Sequence, residues 1–111
     1  LDTLRSGGVG CITATGNVNP IGIRKVYQNW ETPEADTLQA AITKTRQIIQ
    51  SRTLVPALKA IISHYHNDPD WGRLLPPMNS LTTEEIKVLI ADLEADEGFS
   101  MAPAILDNAA E

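Results

Sequence analysis

Ser6-Gly7-Gly8-Val9-Gly10-Cys11-Ile12-Thr13-Ala14-Thr15-Gly16-Asn17-Val18-Asn19-Pro20 is the stretch on which the reading of this chain turns. Glycines at 7, 8 and 10 mark a tight turn, because glycine tolerates left-handed backbone that other residues avoid. Gly10 to Ala14 then carries the small and β-branched residues of a short, buried strand. A second turn follows, and Asn19-Pro20 supplies a helix cap with proline at the first helical position. A single strand cannot satisfy its own backbone donors and acceptors, so it must join a sheet. No other stretch of the 111 residues reads as a strand able to pair with it. The chain is therefore expected to be a piece of something larger.

Outward from that stretch the pattern is helical. Leu1 to Arg5 reads as the last turn of a helix ended by Ser6-Gly7-Gly8. Pro20 starts a helix running to about Trp30, and Thr32-Pro33 repeats the start signal. The next helix carries Leu38, Ala41, Ile42, Ile48 and Ile49 at helical spacing, with Thr45 interrupting the apolar face. Pro56 falls in the first turn of a further helix whose expected stripe is Val55, Leu58, Ile61, Ile62 and Tyr65. Asn67-Asp68-Pro69-Asp70 breaks it. Leu74-Leu75-Pro76-Pro77-Met78 reads as an extended connector, since a residue before proline is pushed out of the helical region. Thr82 and Glu85 form a capping box for a last helix with Ile86, Leu89, Ile90 and Leu93 on one face. The tail after Gly98 is small and weakly patterned and is expected to be mobile. The expected fold is mostly α with one β-strand.

Composition sets broad bounds. Apolar residues make up 42% and charged residues 21%, the proportions of an ordinary globular domain. The formal net charge is -5 and the Lys and Arg residues are scattered, so no basic stripe is available to track nucleic acid phosphates. No apolar run reaches the ~18 residues of a membrane span, and no signal peptide is read at the start. The single cysteine excludes an internal disulfide framework and points to a cytoplasmic setting.

The order of these signals closely resembles the C-terminal part of the dihydrodipicolinate synthase and N-acetylneuraminate lyase family. Gly7-Gly8-Val9-Gly10 with Asn17-Val18 resembles the turn before the family's eighth strand and the Asn-Val pair after it. Pro56-Ala57-Leu58-Lys59-Ala60 resembles its proline and lysine helix. Arg73-Leu74-Leu75-Pro76-Pro77-Met78 resembles the connector before its last helix, with a slightly longer arginine-to-proline spacing. The resemblance implies the last β/α unit and the C-terminal helical extension of a (β/α)8 TIM barrel, a fold of about 250 residues. Residues 1–30 would be the last strand and helix of the barrel, and 31–111 the extension.

The resemblance further implies a class I (Schiff-base) aldolase or lyase acting on pyruvate or a related 2-keto acid, homo-oligomeric and without a cofactor. The family's Schiff-base lysine and catalytic tyrosine lie on earlier strands and would precede Leu1. Lys25, Lys44, Lys59 and Lys87 all fall on expected helices and match no family lysine motif. No catalytic residue is therefore expected in this chain, and the isolated chain is expected to be inactive. Ile12 is the candidate substrate-binding residue: by resemblance its main chain and apolar side chain line the pyruvate pocket, a role compatible with simple core packing. The alternative function is a stand-alone helical interaction module without catalysis.

Other residues invite sharper readings that their context does not support. Gly7-Gly8-Val9-Gly10 precedes an expected strand and does not open a helix, the wrong setting for a phosphate loop. Cys11 in an apolar strand reads as inert core. His64, His66, Asp68 and Asp70 share no helix face that would gather a metal, because Pro69 frays the helix. Asp92 to Pro103 faintly resembles a calcium loop, but its glycine falls one position late and Pro103 stands where a bidentate glutamate is needed. Tyr27, Trp30 and Trp71 read as packing residues at helix ends. No metal site is expected.

Overall fold

The structure, a computed structural model, describes residues 1–101. Its elements are helices and 3-10 turns, joined by short turns except at residues 6–13 and 73–82, where longer connections run. They are α1 (Asp2–Arg5), a 3-10 turn (Ala14–Asn17), α2 (Pro20–Asn29), α3 (Ala35–Gln50), α4 (Leu54–His66), a second 3-10 turn (Pro69–Gly72) and α5 (Thr83–Glu94). No strand occurs among the described residues. The expectation of a β-strand over Gly10–Ala14, and with it the expectation of a TIM-barrel β/α unit, is thereby overturned. The physical reason lies in pairing. Thr13 is extended (φ -140°, ψ 141°), yet no described residue offers a neighbouring extended backbone, and the chain bends into the 3-10 turn at Ala14. β propensity without a partner leaves the segment extended and unladdered.

Local signals act much as their chemistry dictates. Gly7, at φ 89°, ends α1. The Asn19 side chain accepts from the Gly22 amide and Pro20 occupies the first turn of α2. α3 begins at Ala35, two residues after Pro33, because residues 32–34 close a turn in which the Thr32 carbonyl accepts from the Ala35 amide. Asn67, left-handed at φ 51°, ends α4. The connector of 74–78 is less extended than expected: it turns at Pro76-Pro77, joined by a cis peptide bond, and the Met78 amide donates to the Leu75 carbonyl at 3.1 Å. The capping box of Thr82 and Glu85 is complete in both directions.

α3, α4 and α5 each contribute one face to a shared core. Ile49 from α3, Ala57, Leu58 and Ile61 from α4, and Leu89, Ile90 and Leu93 from α5 meet there, joined by Val18 at the end of the first 3-10 turn. Fully burying one such Leu or Ile is worth about 1.5–3 kcal/mol by transfer. The buried face of α4 is rotated from the expected stripe: Pro56, Ala57 and Ala60 are buried, while Val55 and Tyr65 are exposed. Small residues on that side let α4 sit close to its neighbours. α2 packs on α3, burying Val26. Phe99 and Met101 fold back onto the core, so the start of the expected mobile tail is packed. The rest of that tail lies outside the described residues.

Candidate functional site

Ile12 stands on the extended segment between α1 and the first 3-10 turn. Its side chain is fully exposed at 107%, Val9 is 90% exposed, and Cys11 is exposed as well. Cys11 is therefore not the inert core thiol expected from an apolar strand: with no sheet among the described residues to cover it, the segment presents Val9, Cys11 and Ile12 to solvent. Among the described residues no backbone hydrogen bond is made by the amides of 9–13. Beside this segment runs a groove of about 820 Å³, walled by Leu4, Ile12, Ile21, Ile23, Tyr27 and Ile42. Its apolar wall is formed by four parts of the chain, namely α1, the extended segment, and the facing sides of α2 and α3.

The near edge of the groove is fixed by polar contacts. Arg5 donates from both terminal nitrogens to the two carboxylate oxygens of Asp36, each at 2.9 Å, tying α1 to α3. That hydrogen bonding holds the Asp36 carboxyl below its ordinary range and raises the Arg5 guanidinium. Thr13 and Thr15 hydroxyl oxygens lie 3.1 Å apart, and the Thr15 carbonyl accepts from the amides of Val18 and Asn19. Asn19 itself is 2% exposed. Its Nδ2 donates to the Gly98 carbonyl at 3.1 Å, and its Oδ1 accepts from the Gly22 and Ser100 amides at 3.4 Å.

A second buried polar pair holds the same region from below. Asp96, 4% exposed, and Thr45, 1% exposed, meet with Thr45 Oγ1 2.5 Å from Asp96 Oδ2. The Ala41 carbonyl is 3.2 Å from the same hydroxyl, whose single proton goes to the closer, charged acceptor. Lys44 Nζ lies 3.3 Å from the other carboxylate oxygen. Between these two anchors the backbone at Gly98 passes so close to α3 that a Cβ there would stand 2.9 Å from the Ala41 carbonyl oxygen. Residues 95–100 thus form a strap that crosses α3 and ends on Asn19.

These residues were the ones sequence reasoning missed. Thr45 read as an interruption of an apolar face, whereas it is the polar group that face needs in order to receive Asp96. Asp96 lies three and seven residues beyond Leu93 and Leu89, in register with the buried stripe of α5, and that register was the available signal. It is part of the strap's anchor and not of a calcium loop.

None of the four lysines is buried. Lys25, Lys44 and Lys87 are exposed, while Lys59 is half-buried and donates to the Arg73 carbonyl. Among the described residues no three His, Cys, Asp or Glu side chains are placed to hold a metal ion. His64 instead packs edge-on against Tyr65, their ring centres 5.0 Å apart, and beside a smaller cavity of about 270 Å³ lined by Pro56, Leu74 and Ile86. Tyr65 is only partly covered, 36% exposed, and that partial burial, with Glu94 adding to it, pushes its hydroxyl up from its ordinary value. Tyr27 and Trp71 are exposed and Trp30 is half-buried. No described helix is long and apolar enough to cross a membrane. No family model, no curated protein and no solved structure matches the chain.

Proposed function

We propose that this chain is the C-terminal part of a Schiff-base aldolase or lyase acting on pyruvate or a related 2-keto acid, and that Ile12 is its contribution to the substrate pocket. The observation that carries the reading is Ile12 itself. It sits where the sequence resembles the family's pocket-lining residue, and its side chain projects fully exposed from an extended, unladdered backbone. Bare amides and apolar side chains in one short segment are what a larger protein would cover.

In the parent enzyme a lysine amine condenses with the substrate ketone, water leaves, and the resulting imine accepts electrons while a carbon–carbon bond forms or breaks. Such a lysine must be desolvated to lower its pKa and free the amine. The surface lysines of this chain lack that setting, so its part is to shape and dry the pocket. The apolar side chain of Ile12 excludes water beside the reacting carbon, and its main chain offers a donor and an acceptor to the substrate.

The test is pyruvate with borohydride, applied both to the isolated chain and to the product of the whole reading frame that encodes it. The isolated chain is expected to keep its mass. The whole product is expected to gain one reduced pyruvate on a lysine other than Lys25, Lys44, Lys59 and Lys87, and Ile12→Asp is expected to raise KM about tenfold or more, ~1.4 kcal/mol of binding. Absence of any adduct on the whole product, or an adduct on one of those four lysines, would overturn the reading.

One observation favours a second reading, a helical interaction module without catalysis: the groove between α1, α2 and α3 is open and apolar. Failure of the trapping experiment, with a partner protein bound through Ile21 and Ile42, would support it.

A further inference from the structure

The strap of residues 95–100 and the segment bearing Ile12 are linked by one continuous polar path. Gly98 and Ser100 meet the Asn19 carboxamide through their carbonyl and amide respectively. The Asn19 amide donates to the Thr15 carbonyl at 2.9 Å, the Thr15 hydroxyl meets the Thr13 hydroxyl at 3.1 Å, and Thr13 adjoins Ile12. Asn19 and Thr15 are both buried. A helix cap needs only the acceptor oxygen of Asn19, which serves Gly22. The Nδ2 donor and the burial of the whole carboxamide have no part in capping, and both are directed at the strap.

We propose that Asn19 is a positioning residue, through which the strap at 95–100 sets the placement of Ile12. The extended segment has no ladder to define its course, so its geometry is inherited from its ends. At one end it hangs from α1, which Arg5 ties to Asp36. At the other it is held by the turn of 14–19, whose buried corner is Asn19. The strap in turn is held on α3 by Thr45 and Asp96 and by the close passage of Gly98 over Ala41. A change at the far end of the chain is thereby felt at Ile12. For the keto-acid pocket, the consequence rests on the enzyme reading proposed above.

The informative variant is Asn19→Ser. Serine keeps the capping oxygen for α2 but removes the carboxamide donor to Gly98 and falls short of Ser100. On the chain itself, hydrogen exchange at the Gly16, Val18 and Ser100 amides is expected to quicken about fivefold or more, the effect of one net hydrogen bond. The Ile12 methyl resonances are expected to move, while the Ile23 amide inside α2 keeps its protection. Gly98→Ala is the second variant. It disturbs the strap from the α3 side without touching the extended segment, and it is expected to shift the same Ile12 methyl resonances. If both variants leave Ile12, Gly16 and Val18 unchanged, the positioning role is wrong, whatever happens to overall stability. In the product of the whole reading frame, Asn19→Ser is expected to raise KM for the keto acid and leave kcat unchanged. Coupling to Ile12 without that KM change would uphold the positioning role and count against the enzyme reading alone.

Discussion

Thr45→Val tests the buried anchor under the strap most directly. The substitution keeps the branched shape and removes only the hydroxyl, so packing against Asp96 is preserved while the Asp96 Oδ2 loses a partner 2.5 Å away. Lys44 remains near the other oxygen, but its side chain is 65% exposed and compensates little. A hydrogen bond to a charged group contributes about 1.5–3 kcal/mol, and a buried acceptor left unpaired loses at least that much. The expected cost of Thr45→Val is therefore about 2 kcal/mol. Asp96→Ala is expected to cost a similar amount, because the Thr45 hydroxyl can turn to the Ala41 carbonyl, 3.2 Å away, while a small cavity opens. The double variant should cost little more than either single one, giving a coupling of about 1.5–3 kcal/mol. Urea unfolding followed by far-UV circular dichroism reads this out. With a slope of about 1–3 kcal/mol per M, each single variant lowers the midpoint by roughly 1 M. Strictly additive losses, or a Thr45→Val midpoint within error of the parent, would show that Asp96 is satisfied by other means and that the strap is not anchored there.

Further outcomes follow from the same contacts. Gly98→Ala should destabilise by about 1–3 kcal/mol, since its Cβ would press on the Ala41 carbonyl and lift the strap; an unchanged melting temperature would refute the close approach. Glu85 is held below its ordinary pKa by hydrogen bonds from the Thr82 backbone and side chain. Its contribution is present above the unfolded carboxylate pKa, about 4.3, and is lost as pH falls through the lower folded value, so Glu85→Gln, which removes the titrating group, should flatten the acid limb of a stability–pH curve. A curve of unchanged shape would be the contrary result. Cys11 should react with a thiol-specific alkylating reagent as fast in the folded chain as in urea, because none of the described residues covers it; protection in a monomer would mean that the segment of 9–13 is covered.

Helix positions were legible in the residues because their signals are local. Asn19-Pro20, Asn67 before Pro69, and Thr82 with Glu85 each satisfy backbone groups within a few residues of themselves, so no distant partner is needed to make them act. The apolar faces of α3 and α5 were legible for the same reason, their period being a property of one helix. Gly10–Ala14 was misread because a strand is not local: the same β-branched residues make a strand only when a second backbone lies beside them, and here none of the described residues does. The sequence by itself thus determined where helices start, stop and turn their apolar sides. Only the tertiary structure decided the roles of Asn19, Thr45, Asp96 and Gly98. Their partners lie some fifty to eighty residues away along the chain, and whether a polar side chain is buried and paired depends on what folding brings against it.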